Sequence, residues 1–91
     1  MKLAWKRAAL RDREHIMEFI ARDKPPAAVS WDEKLEQSAE RLIQHPHMGR
    51  NGRVPSTREL VIHPNYILVY REVAAKLEIL RVLHAAQKWP L

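Results

Sequence analysis

Apolar and polar positions alternate with period two over residues 2–6, where Leu3 and Trp5 face one way and Lys2, Ala4 and Lys6 the other. This is the pattern of a short strand with one buried face. Over residues 7–21 the period lengthens. Ala9, Ile16, Phe19 and Ile20 fall on one stripe of a helix of about four turns, with Asp12, Glu14 and Glu18 facing away. Asp23-Lys24-Pro25-Pro26 ends that helix, because proline has no amide hydrogen and disfavours helical geometry in the residue before it. A second helix starts near Pro26, where proline suits a first turn. Its apolar positions Ala28, Trp31, Leu35, Ala39 and Leu42 keep helical spacing, while Asp32, Glu33, Glu36, Glu40 and Arg41 take the remaining surface, and His45-Pro46 closes it. A short connection between two striped helices predicts an antiparallel hairpin packed on a sheet.

Residues 47–57 hold both glycines of the chain, with Asn51-Gly52 as a turn signal, and read as an exposed basic loop. Three strands follow over residues 58–63, 66–71 and 76–84, joined by a tight turn at Pro64-Asn65 and a second connection over residues 72–75. Apolar side chains occupy both parities of the last two strands, so both sheet faces are largely covered. The helices take one face; the other forms a shallow concave surface or groove. On strict alternation Arg81 shares its side with Leu77, Ile79 and Leu83, a charge projecting from an apolar row. The fold class expected is α+β: an N-terminal strand, an antiparallel two-helix hairpin, then a mainly antiparallel three-stranded sheet packed on the helices.

With 91 residues the chain has apolar surface for one core, so residues 1–91 are read as a single domain. No apolar run approaches the roughly 18 residues of a membrane span, and residues 1–15 lack a secretory apolar segment. The absence of cysteine excludes a disulfide framework. The expected location is the cytoplasm. The formal net charge of +5 is unevenly placed: residues 41–71 hold five arginines (41, 50, 53, 58 and 71) against one acid, Glu59. Concentrated positive charge points to an anionic partner.

The chain carries no P-loop, dinucleotide fingerprint, HExxH, GxSxG or EF-hand loop, so motif-borne metabolic chemistry is not expected. His45, His47, His63 and His84 lack metal-ligand spacing with a carboxylate, and neither metal nor cofactor is expected. The notable set is Arg50, Arg53, Arg58, Arg81, His84 and Lys88. Cutting RNA without a metal needs a base for the ribose 2′-OH, cations for the phosphate and an acid for the leaving oxygen. If the chain is a nuclease, Arg58 and Arg81 would clamp the phosphate and His84 would exchange the proton. Against that stands a plainer arrangement, in which a strand arginine is held by a carboxylate such as Glu59 or Glu78. Arg50, Arg53 and Lys88 are candidates for contact with a target or nucleic acid. Trp89 would either stack on a base or latch over the sheet.

The order of strand, helical hairpin and basic loop, followed by RELVIHPNYILVYR and ILRVLHAAQKWP, resembles the RelE/ParE superfamily of toxins from bacterial type II toxin–antitoxin modules over essentially the whole chain. Arg58-Glu59, Tyr66 to Tyr70, and Val82-Leu83-His84 through Trp89-Pro90 resemble the ParE branch in particular. The resemblance implies one of two activities. ParE-like members poison DNA gyrase by binding; RelE-like members cut mRNA in the ribosomal A site with basic residues and often a C-terminal tyrosine. Gln87 stands where many members of both branches carry arginine, and no tyrosine follows it, which removes the best acid/base candidate of a nuclease. The resemblance also implies a small cognate antitoxin that folds on this chain, with any contact to operator DNA made by the antitoxin alone. The partners expected are therefore the antitoxin and either gyrase or the ribosome with its mRNA.

Overall fold

The computed structural model describes residues 1–62 and 65–90. The elements are β1 (Lys2–Trp5), α1 (Arg7–Ala21), α2 (Pro25–Gln44), β2 (Arg50–Asn51), β3 (Arg58–Ile62), β4 (Tyr66–Val73) and β5 (Lys76–His84). Strand, helical hairpin and three consecutive antiparallel strands stand as the apolar pattern predicts. The sheet is larger than expected, with five strands in the order β1-β5-β4-β3-β2. β2 arises inside the segment read as a loop, where Arg50 and Asn51 pair antiparallel with Glu59 and Arg58. β1 returns to lie parallel to β5, Lys2 opposite Lys76 and Trp5 opposite Ile79. The expected His63 end of β3 and the Pro64 half of the following turn lie outside the described residues.

β4 runs two residues beyond its expected end, because Glu72 and Val73 pair with Leu77 and Lys76 and leave only Ala74 and Ala75 to turn the chain. Both adopt left-handed backbone, with φ of 48° and 61°, a conformation that a two-residue hairpin requires and that alanine tolerates poorly.

The core lies between the helices and one sheet face. Ala9, Trp31, Leu35, Ala39 and Leu42 from the helices meet Ile62, Leu68, Tyr70, Leu77, Ile79 and Val82 from the strands. Arg13 pins the hairpin at its flank, its guanidinium bonded to Asp32 at 2.6 and 3.0 Å, 2.8 Å from Glu36, and lying over the Trp5 ring. Phe19 does not join the stripe. It sits about 80° round α1 from Ala9 and is 66% exposed, while Ile16 and Ile20 pack inward.

Strict alternation also fails in β5. Tyr70 pairs with Ile79 but Val69 pairs with Arg81, so Leu80 is an extra residue and the strand bulges there. Ile79 and Val82 therefore share the helix-facing core, while Leu83 joins Ile67, Val69, Leu80 and Trp89 on the opposite face. The row Leu77, Ile79, Arg81, Leu83 expected from the sequence is thus split between the two faces. The far face is not an open hollow over these residues, because Trp89 folds back onto it and Ile67, Val69 and Leu83 are buried.

Candidate functional site

The basic segment folds around its single acid. Glu59 on β3 is buried, with its side chain 1% exposed. Its carboxylate accepts the Arg53 backbone N–H at 2.9 Å, the Arg53 guanidinium at 3.2 Å and the Arg50 guanidinium at 3.3 Å. Burial works to raise the carboxyl pKa, but the Arg53 backbone and side-chain bonds and the Arg50 bond outweigh it and hold the group below the usual glutamate value. Arg50 and Arg53 remain half in solvent, gathered on one spot by a countercharge beneath them.

Tyr70 anchors the same region from below. Its hydroxyl donates to the Pro46 carbonyl at 2.7 Å and accepts the Gly49 N–H at 2.9 Å. A Cβ on Gly49 would stand 2.7 Å from that hydroxyl, so the close approach requires glycine. The loop closes through Gly52 N–H to the Thr57 carbonyl at 2.8 Å and the Thr57 hydroxyl to the Val54 carbonyl at 2.6 Å. The segment read as a simple exposed loop is an ordered hydrogen-bonded structure.

Arg58 differs from its neighbours. It is half-buried and donates to the Gly49 carbonyl at 2.8 Å, with no carboxylate bound to it among the described residues. It lines a recess of about 380 Å3 with Asn51, Ser56, Thr57, Arg71 and the acid Glu72.

Arg81 is not a free charge. Its guanidinium makes two bonds to Asp12 of α1, at 2.7 and 2.9 Å, and the same carboxylate accepts the Val82 backbone N–H at 2.9 Å. The Trp89 ring lies 5.5 Å from the guanidinium carbon. The Asp12 bonds push the Arg81 pKa further up and fix the charge. Asp12, read from the sequence as facing away, thus occupies the edge of β5 just beyond the end of β1. Sixty-nine residues separate the partners, and no local spacing could have announced the contact.

His84 is exposed at the end of β5, edge-on to Tyr66 with ring centres 5.5 Å apart. Its Nδ1 accepts the Ala86 N–H at 3.1 Å. That bond occupies Nδ1 and turns Nε2 outward. His84 and Arg58 belong to different recesses, since Arg58 pairs with Tyr70 and His84 with Tyr66, at the two ends of that stretch of β4. Four strand residues put them roughly 13 Å apart along β4 alone. Lys88 is exposed on the segment that carries Trp89 across the sheet.

The family described as ParE toxin of type II toxin-antitoxin system, parDE, matches residues 3–89. The chain belongs to the ParE toxin family. Among curated relatives, this ParE-family chain is 39% identical over 90 residues to "Putative toxin Y4kP" of Sinorhizobium fredii, covering 98% of this chain and 93% of the relative. It is 31% identical over 86 residues to "Toxin RelE2" of Caulobacter vibrioides, covering 94% and 97%. Among solved structures it shares the fold of "Chromosomal ParDE TA system from P. aeruginosa", with TM-score 0.84, 23% identity and coverage of 92% and 95%. The protein is the toxin of a type II toxin–antitoxin module, with an antitoxin as its partner.

Proposed function

We propose that this ParE-family toxin arrests growth by binding a macromolecular target, DNA gyrase, in the cytoplasm, and that its cognate antitoxin masks it. One observation carries the reading: Arg81, one of the two cations that would clamp a phosphate, is already engaged by a carboxylate, and so are two further arginines of the basic segment. Arg81 is clamped by Asp12, and Arg50 and Arg53 share Glu59. His84 Nδ1 is taken up by the Ala86 N–H, and the ring lies in a different recess from Arg58. Phosphoryl transfer needs charges aimed at the reacting phosphate, whereas these point at carboxylates of the same chain. A fixed, partly exposed arginine cluster suits recognition of an acidic protein surface instead. Arg50, Arg53 and Lys88 would contact the target, and Trp89 would hold the last segment in place.

The alternative, a ribosome-dependent mRNA endonuclease, draws its support from Arg58, which lines a polar recess without a carboxylate partner among the described residues. Purified gyrase tests the preferred reading. Excess protein is expected to stop supercoiling and to trap cleaved DNA on the enzyme; unchanged supercoiling with no trapped complex would exclude gyrase as the target.

A further inference from the structure

Three arginines are half-buried among the described residues, and the fold treats one of them differently. Arg13 has the carboxylates of Asp32 and Glu36, and Arg81 has that of Asp12. Arg58 has the Gly49 carbonyl at 2.8 Å and no carboxylate among the described residues. A guanidinium carries five N–H donors, so most of the Arg58 fork is uncommitted. A cation drawn partly out of water without a counter-ion loses hydration and recovers little in return. The Arg58 side chain is therefore left with capacity for an anion from outside the chain.

The recess beside it exists because β3 starts late. Arg58, the first residue of β3, pairs with Tyr70, so Arg71 to Val73 of β4 have no strand on that side among the described residues, and the gap of about 380 Å3 lies between them and the loop of residues 52–57. Pro46, Val54 and Pro55 give the gap apolar surface. Ser56 borders it with a left-handed φ of 67°, a conformation that residues with a side chain seldom hold and that clusters at ligand clamps. Arg71 is already paired with Glu78 at 2.8 Å, which leaves Arg58 as the cation with its fork open, and the acid Glu72 also lines the gap. A small recess with one open guanidinium and apolar walls suits a single carboxylate on a short apolar stem. It disfavours a nucleic acid backbone, whose closely spaced phosphates would meet Glu72.

We propose that this recess is an anchor point for the target: one acidic side chain of the target protein enters it, pairs with the Arg58 guanidinium and lays its methylene stem against Pro46, Val54 and Pro55. Arg58 is then a specificity-determining contact in place of a phosphate clamp. The inference rests on the gyrase reading above and adds the side-chain class that is recognised and the residue that recognises it.

The test supplies the recess with a carboxylate of the chain's own, as Asp12 supplies Arg81. Ser56→Asp does this at a left-handed position, which Asp and Asn accept better than Ser, and Ser56→Asn gives the same shape without the charge. Purified gyrase is titrated with the parent, both Ser56 variants and Arg58→Ala, each checked for folding by thermal melting. Ser56→Asp and Arg58→Ala are expected to raise the concentration that halts supercoiling by about ten-fold or more, and Ser56→Asn to match the parent. If Arg58→Ala fails to fold for want of its bond to Gly49, the two Ser56 variants decide alone. Folded Ser56→Asp as potent as the parent would overturn the recess and leave the gyrase reading intact. Equal losses in Ser56→Asp and Ser56→Asn would assign the effect to loop shape and overturn it as well. A parent without effect on gyrase would remove both readings. Cutting of mRNA by the parent that disappears in folded Arg58→Ala would give the recess to a phosphate and also overturn the proposal.

Discussion

Asp12→Ala is expected to lower stability by about 3 kcal/mol, a shift in Tm of roughly 15 °C for a domain of this size. One substitution removes both bonds to Arg81 and the bond that holds the Val82 N–H. The guanidinium and the carboxylate keep 24% and 15% of their side-chain surface in water, so the stranded charge is costly without being fully buried. Asp12→Asn should fall between the two, since its amide oxygen can still accept from Val82 but cannot take both guanidinium bonds. Replacing both partners, as Asp12→Leu with Arg81→Leu, should recover much of the loss, because no charge is then left unpaired. Thermal unfolding of the four proteins checks the series. If Asp12→Ala melts within about 3 °C of the parent, a shift worth less than roughly 1 kcal/mol, the clamp contributes little.

The second large effect concerns Glu59→Gln, expected to cost about 2 kcal/mol at neutral pH. The amide keeps the shape of the carboxylate but turns a donor toward a site built from N–H groups, and it removes the charge that gathers Arg50 and Arg53. The pH dependence follows from the direction of the shift. Because the folded-state pKa of Glu59 lies below its unfolded value, its stabilising contribution is complete above the ordinary glutamate range. That contribution is lost as pH falls through the folded pKa. The gap between parent and Glu59→Gln should therefore be widest near pH 7 and close on acidification below about pH 4. Denaturant midpoints measured across that range provide the check, and a gap that grows in acid would show that the carboxylate does not act as the loop's countercharge.

Much of this fold was legible because helical spacing and period-two alternation are local. α1 was read residue for residue, and α2 within one residue of its start. What escaped depends on contacts distant in sequence or on a single inserted residue. The bulge at Leu80 flips every later side chain of β5, and a strand apolar on both faces gives no warning of it. Phe19 counted toward the α1 stripe because hydrophobicity does not say whether a flank of the stripe is covered. Parallel pairing of β1 with β5 joins the two ends of the described chain, which no local pattern encodes. At the candidate site the sequence points to the arginines and to Glu59 or Glu78 as carboxylates that hold a strand arginine, but not to which arginine each one holds. Glu59 is legible from its position as the only acid among the five arginines of residues 41–71. Asp12 is not, since an acid on the flank of a helix reads as solvated. The positive charge expected to face a partner is consequently smaller than the composition implies, as Arg71 is also paired, with Glu78 at 2.8 Å.

Arg81, Arg50 and Arg53 are held by acids of the same chain, and the proposed mode of action is therefore contact with a target and not cleavage of a bond. Mapping mRNA ends in a purified translation system, with the toxin in excess over ribosomes, tests this most directly. The account predicts intact messages from a preparation that still arrests growth. Discrete cuts at A-site codons that vanish in a folded His84→Ala variant would contradict it.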